Sequence, residues 1–169
     1  GKFLIVGDKG AVRTISLDGL TTSSSRLAPE NHSLLQLLTV GSDDVIAVSS
    51  EAVIFTLSTA DLRVTGTVIG NPGEITDLSI LPNGELVVAT GDADLKVFSS
   101  LDSLSCRLLK GHSESIVSVA VCGDFVISGS RDHTLRVWSV SEGTCLFTGQ
   151  GHTDVVSAVA VMDDGHGNL

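Results

Sequence analysis

His112, Ser128, Asp132 and Trp138 carry most of the chemistry this sequence could offer. Serine, histidine and aspartate are the types from which a nucleophilic triad is assembled, the imidazole taking the hydroxyl proton and the carboxylate orienting the imidazole. That chemistry would make the chain a hydrolase. The surroundings oppose it: Ser128 sits in FVISGS, which reads as a strand, and no G-x-S-x-G turn supplies an exposed nucleophile with an oxyanion hole. His133 follows Asp132 where a tight turn needs a residue tolerant of positive φ, a reading that outranks metal binding.

Other candidate sites are poorer. GDKG at residues 7–10 reads as a hairpin turn, because no G-K-[ST] or following helix makes it a phosphate loop. DDGHGNL, with Asp163, Asp164 and His166, reads as an acidic tail in preference to a metal site. Cys106, Cys122 and Cys145 are odd in number and lie in the strand-like stretches SCRLL, VAVCGD and TCLFTG, the pattern of buried reduced thiols in a reducing compartment. Neither a cofactor, a metal nor a small-molecule substrate is expected. Ten Lys and Arg against twenty Asp and Glu give a formal charge of −10, which disfavours direct approach to phosphate backbones. No apolar run approaches the roughly 20 residues of a membrane helix, and GKFLIVGDKG lacks the charged-then-apolar order of a signal peptide, so no membrane partner is expected.

A repeat must position these side chains. GHSESIVSVAV begins at Gly111 and GHTDVVSAVAV at Gly151, 40 residues later. Upstream of Trp138 in LRVWS, the equivalent strand ends are Phe98 in LKVFS, Leu57 in VIFTLS and Ile15 in VRTISL, at steps of 40, 41 and 42 residues. Between these anchors apolar and polar residues alternate in short runs bounded by Gly, Asp, Asn and Ser turns, as half-buried antiparallel strands require. Such a period suits a sheet of four short strands.

The expected fold is therefore all-β, a propeller of four-stranded antiparallel sheets. FLIVG, AVRTISL and SSSRL read as the second to fourth strands of a partial blade within residues 1–29. Blades over 30–69, 70–110 and 111–150 follow, with first strands near Leu34, Ile75 and Ile116. VVSAVAV, within 151–169, reads as the first strand of a further blade, making sixteen strands in all. They could close a four-bladed ring, or form part of a larger seven-bladed or tandem propeller, the preferred reading. Unpaired blade edges would promote association of these residues expressed alone.

LLKGHSESIVSVAVCGDFVISGSRDHTLRVWSV, residues 108–140, closely resembles the WD-repeat family, with Trp138-Ser139 in place of its terminal Trp-Asp. The resemblance implies that His112 in the inter-blade loop, Ser128 in the second strand, Asp132 in the tight turn and Trp138 in the third strand form a structural tetrad. An imidazole bonded to a carboxylate and a hydroxyl, with the hydroxyl bonded to an indole N–H, would satisfy buried polar groups while locking loop to strand. Elsewhere the pattern decays. In the third blade Asn71, Val88 and Phe98 replace the histidine, serine and tryptophan while Asp92 remains; in the second, Glu51 and Leu57 take the turn-acid and tryptophan places. His32 lies near the second blade's loop site, a network member or a solvated side chain, and His152 repeats the loop signature without its partners.

ADLKVFSSLDSLSCRLLKGHSESIVSVAV, residues 93–121, resembles more narrowly the U3 small nucleolar RNA-associated WD proteins of the UTP-B subcomplex, as do GKFLIVGDKGAVRTI and DLRVTGTVIGN in the same order. That resemblance implies a non-catalytic scaffold of the small-subunit processome, acting in nucleolar 18S pre-ribosomal RNA processing. Its partners would be other WD proteins, with U3 RNA and pre-ribosomal RNA met mainly through them. Glu114, Arg131 and Asp154 are the candidate partner contacts, each otherwise a solvated loop residue. The alternative is a WD substrate receptor or adaptor of another complex such as a ubiquitin ligase; a propeller hydrolase is the remote one.

Overall fold

The computed structural model describes residues 3–8, 11–16, 22–26, 33–40, 44–49, 53–68, 74–99 and 106–162. They contain fifteen strands and no helix. The chain divides into two compact units, Gly1–Glu74 and Ile75–Leu169.

In the first unit, β1 (Phe3–Asp8), β2 (Ala11–Ser16) and β3 (Thr22–Arg26) form a three-stranded meander. A second meander joins β4 (Leu34–Val40), β5 (Asp44–Ser49), β6 (Ile54–Ser58) and β7 (Val64–Val68). Val12, Ala47, Phe55, Leu57 and Leu62 make the core. Every pairing is antiparallel, as the short connections require.

The second unit repeats the plan with β8 (Ile75–Ile80), β9 (Leu86–Thr90), β10 (Leu95–Phe98) and β11 (Cys106–Leu109), then β12 (Ile116–Cys122), β13 (Phe125–Ser130), β14 (Leu135–Ser139) and β15 (Thr144–Gly149). The first strands start at Leu34, Ile75 and Ile116, where the alternation begins. LVVAT of β9 is buried on both faces, which is why it reads as a continuous apolar run. Leu81, Val97, Leu109, Ile116, Val126 and Trp138 belong to the core shared by the two sheets.

Polar contacts stitch these two sheets at several points. At the inner strands, Thr76 Oγ1 donates to the Ile116 carbonyl at 2.7 Å, and Asp77 Oδ2 accepts from Ser118 Oγ at 3.0 Å and the Val119 N–H at 2.8 Å. The extra residue of a β-bulge between Ile116 and Ser118 lies beside this contact. At the outer strand, Arg107 donates across to the Val140 carbonyl at 2.9 Å and, within its own sheet, to Glu85 Oε1 at 2.6 Å.

Two expectations need amendment. VVSAVAV forms no strand: residues 155–162 pair with no strand among the described residues, and an extended segment becomes a strand only through a partner. The cysteines are free but half-buried, not fully buried, because each lies at the margin of its sheet.

Candidate functional site

The four side chains singled out from the sequence converge in the β12–β15 sheet. Pairing of Val126 with Trp138 and Ser128 with Arg136 puts Ser128 and Trp138 on one face of β13 and β14. His112 enters from the connection between β11 and β12, and Asp132 from the turn between β13 and β14. The Trp138 indole N–H donates to Ser128 Oγ at 2.8 Å, Ser128 Oγ lies 2.7 Å from His112 Nε2, and His112 Nδ1 lies 2.7 Å from Asp132 Oδ2. A neutral imidazole protonated on Nδ1 satisfies every member: the indole donates to the hydroxyl, the hydroxyl to Nε2, and Nδ1–H to the carboxylate.

The electrostatics fit this proton arrangement. Burial pushes His112 below its ordinary value of 6.5, outweighing the pull of Asp132, and the Arg136 charge lowers it further. Burial pushes Asp132 up but is outweighed by the Thr134 hydroxyl, His112 and the Ser113 and Thr134 N–H groups, which hold the carboxyl well below the usual range. Ser128 and Trp138 have no exposed surface.

Several contributors were not singled out from the sequence. Thr134 donates to Asp132 Oδ1 through its hydroxyl at 2.6 Å and its N–H at 2.9 Å, and the Ser113 N–H donates to Oδ2 at 3.0 Å. The D-x-T spacing was the available signal for Thr134; a backbone donor such as that of Ser113 leaves none. Asp77, an acid within the apolar run ITDLSI, was the visible sign of the inter-sheet contact. Gly111 packs where a Cβ would meet Arg136 Nη1 at 2.6 Å and Trp138 at 3.0 Å, so a side chain there would displace the guanidinium and press on the indole. Arg136 itself lies over the indole at 5.9 Å. His133 takes φ 64° in the turn.

Glu114, Arg131 and Asp154 are exposed loop residues. The first two sit on adjoining loops, where the Arg131 N–H donates to the Ser115 carbonyl at 2.9 Å and the Ser130 hydroxyl to the Glu114 carbonyl at 3.1 Å. Asp154 caps its own segment, accepting the Val155 N–H at 2.7 Å. His152 is exposed. Asn71, His32, Glu51 and the tail with Asp163, Asp164 and His166 lie outside the described residues. No group of metal-ligating side chains occurs among the described residues.

The other sheets solve the same packing problem differently. Val88 and Phe98 are buried in β9 and β10, and Asp92 meets Lys96 Nζ at 3.4 Å. In β5 and β6 the equivalent places hold Ala47 and Leu57, both fully buried.

The WD domain, G-beta repeat, matches residues 62–99 and 103–139. The second match runs from the outer strand of one sheet, β11, to the third strand of the next, β14. In the Crystal Structure of Mitotic Checkpoint Complex, one chain superposes with a TM-score of 0.80 at 16 % identity, covering 94 % of this chain and 50 % of that one. The chain is therefore a WD40-repeat protein whose sheets are β-propeller blades.

Among curated relatives, WD repeat-containing protein pop1 of Schizosaccharomyces pombe is 46 % identical over 55 residues, which cover 32 % of this chain and 7 % of the relative. SIR4-interacting protein SIF2 of Saccharomyces cerevisiae is 31 % identical over 132 residues, 74 % of this chain and 25 % of the relative. Transducin beta-like protein 3 of Mus musculus is 25 % identical over 169 residues, 93 % of this chain and 21 % of the relative. The chain thus spans a quarter or less of each of these relatives.

Proposed function

We propose that this chain is part of a non-catalytic protein-interaction scaffold, a UTP-B-type WD subunit of the small-subunit processome acting in nucleolar 18S pre-ribosomal RNA processing. The observation that carries the scaffold reading is the state of Ser128. Its oxygen is buried between an indole donor and an imidazole, so the polar set holds loops in place and offers no nucleophile to a substrate. Glu114, Arg131 and Asp154 are the side chains those loops would present to partners. Support for the UTP-B assignment comes from residues 93–121 and from the likeness to transducin beta-like protein 3 across 93 % of the chain. The charge of −10 favours reaching RNA through partners.

Affinity purification of the intact protein tests this. The expected outcome is recovery of UTP-B WD subunits and U3 RNA, with RNA lost at elevated salt while the protein partners stay. Recovery of ubiquitin ligase subunits instead would replace this reading with a substrate receptor. A hydrolytic activity abolished by Ser128→Ala with the fold intact would replace it with an enzyme.

A further inference from the structure

Asn83 lies between Pro82 and Gly84 in the turn that joins β8 to β9, and of Asn31, Asn71, Asn83 and Asn168 it alone precedes a glycine. Asn83 and both neighbours are exposed. At such a step the backbone can attack its own side chain, the next peptide nitrogen reaching the amide carbon to close a cyclic imide. Glycine puts no side chain in the way. At Gly84, where φ is 86°, nothing stands within 4 Å of the place a Cβ would take.

Two hydrogen bonds poise the Asn83 amide for that attack. The Glu85 N–H donates at 3.0 Å to Asn83 Oδ1, the oxygen on which negative charge develops as the carbon becomes tetrahedral. Asn83 Nδ2, the departing nitrogen, donates to Glu85 Oε2 at 3.0 Å. A third bond opposes the step: the Gly84 N–H closes the turn onto the Leu81 carbonyl at 2.8 Å and must be released first, so the reaction is slow.

The same carboxylate belongs to the contact between sheets. Glu85 Oε1 accepts from Arg107 Nη2 at 2.6 Å, and Arg107 Nη1 crosses to the Val140 carbonyl at 2.9 Å. The Asn83 amide, ahead of Arg107, holds the Glu85 carboxyl below its ordinary value. Asn83 is thus tied through Glu85 to an inter-sheet bond.

We propose that Asn83 is a site of self-modification, where the Gly84 nitrogen displaces ammonia from the side-chain amide and the product loosens the Glu85–Arg107–Val140 clamp. The Gly84 N–H proton passes to solvent, a bond from this nitrogen to Cγ replaces the Cγ–Nδ2 bond, and Nδ2 leaves as ammonia with a proton from solvent. Water then opens the imide at either carbonyl, giving aspartate or its β-linked isomer; one water is consumed and one ammonia released. Aspartate puts a carboxylate where a donor met Glu85 Oε2, and like charges at that distance repel. The isomer instead lengthens the turn by one backbone carbon. This inference is independent of the processome reading, and no partner enters its test.

The folded full chain is held at mildly alkaline pH for days and its peptides are mapped by mass. The amide-to-acid mass gain is expected at position 83, with the two isomers separating by chromatography, and no gain there in Asn83→Gln, whose longer side chain closes the ring poorly. Asn83→Asp, which installs the product directly at an exposed turn, should speed amide exchange in β11 at least about threefold, and in a Glu85→Gln background that difference should vanish. An amide kept at position 83 in the folded chain, while a urea-unfolded sample incubated alongside loses it, overturns the proposal. So does β11 exchange in Asn83→Asp that matches the native rate, or a change that persists with Glu85→Gln.

Discussion

The β12–β15 and β4–β7 sheets fill the same interior position with opposite chemistry. In one, Trp138, Ser128, His112 and Asp132 form a buried hydrogen-bonded chain; in the other, Leu57 and Ala47 pack without a polar atom. Both are closely filled, so the blade plan does not need the polar chain for burial. What the polar chain adds is direction: it fixes a loop and a turn to specific atoms of two strands. The β8–β11 sheet is intermediate, with Phe98 and Val88 inside and ion pairs at the turn, Asp92 to Lys96 and Asp94 to Lys110.

The contrast can be broken most forcefully at Trp138. Trp138→Ala removes the largest buried side chain and the donor to Ser128 Oγ, and should destabilise by about 3–5 kcal/mol in urea unfolding followed by circular dichroism. Leu57→Ala, which leaves no polar group unpaired, should fall at the lower end of the range for its type, about 2–5 kcal/mol.

Ser128→Ala should follow, at about 1–3 kcal/mol, since the indole N–H loses its acceptor and Nε2 its donor. The single tryptophan of the chain reports this unfolding directly by fluorescence. Asp132→Asn should have a similar effect, whereas Asp92→Asn, whose carboxylate is 57 % exposed, should stay below about 1 kcal/mol.

Acid sharpens the comparison next. His112 binds its proton less readily folded than unfolded, so stability falls as pH drops from about 6.5 towards the lower folded value, where the unfolded chain alone is protonated. Asp132 adds a second loss: its contribution is whole above about pH 3.8 and disappears as pH falls towards its folded value. Urea midpoints against pH should show the first slope in the native chain and a flatter one in His112→Gln.

The smallest effect is expected at a turn. Leu62 and Gly143 occupy equivalent places after β6 and β14, with φ of 55° and 69°. Gly143→Ala should destabilise by about 1 kcal/mol through left-handed strain. Leu62→Gly relieves the same strain but exposes the core filled by a fully buried side chain, and should prove the more damaging.

Strand positions were legible from local pattern, since alternation set β4, β8 and β12; the converging tetrad was legible through the resemblance of residues 108–140 to the WD-repeat family, which implied the places of His112, Ser128, Asp132 and Trp138. Thr134 and Ser113 were hidden because their contribution depends on where a hydroxyl and a backbone N–H point. Leu62 was hidden because its positive φ is imposed by the turn against the preference of its own type. Residues 155–161 carry a strand's alternation, yet a strand exists only when a neighbour supplies its hydrogen bonds.

The staggered boundary of the repeat, opening on the outer strand of one sheet and closing on the third strand of the next, has a genetic consequence. A repeat so cut carries the fourth strand of one sheet and the first three of the next, so duplicating or deleting it always joins a three-stranded part to a strand of the kind that completes it. The repeat and the sheet are thus cut at different places, and each copy of the repeat ties two sheets together through one continuous stretch of chain.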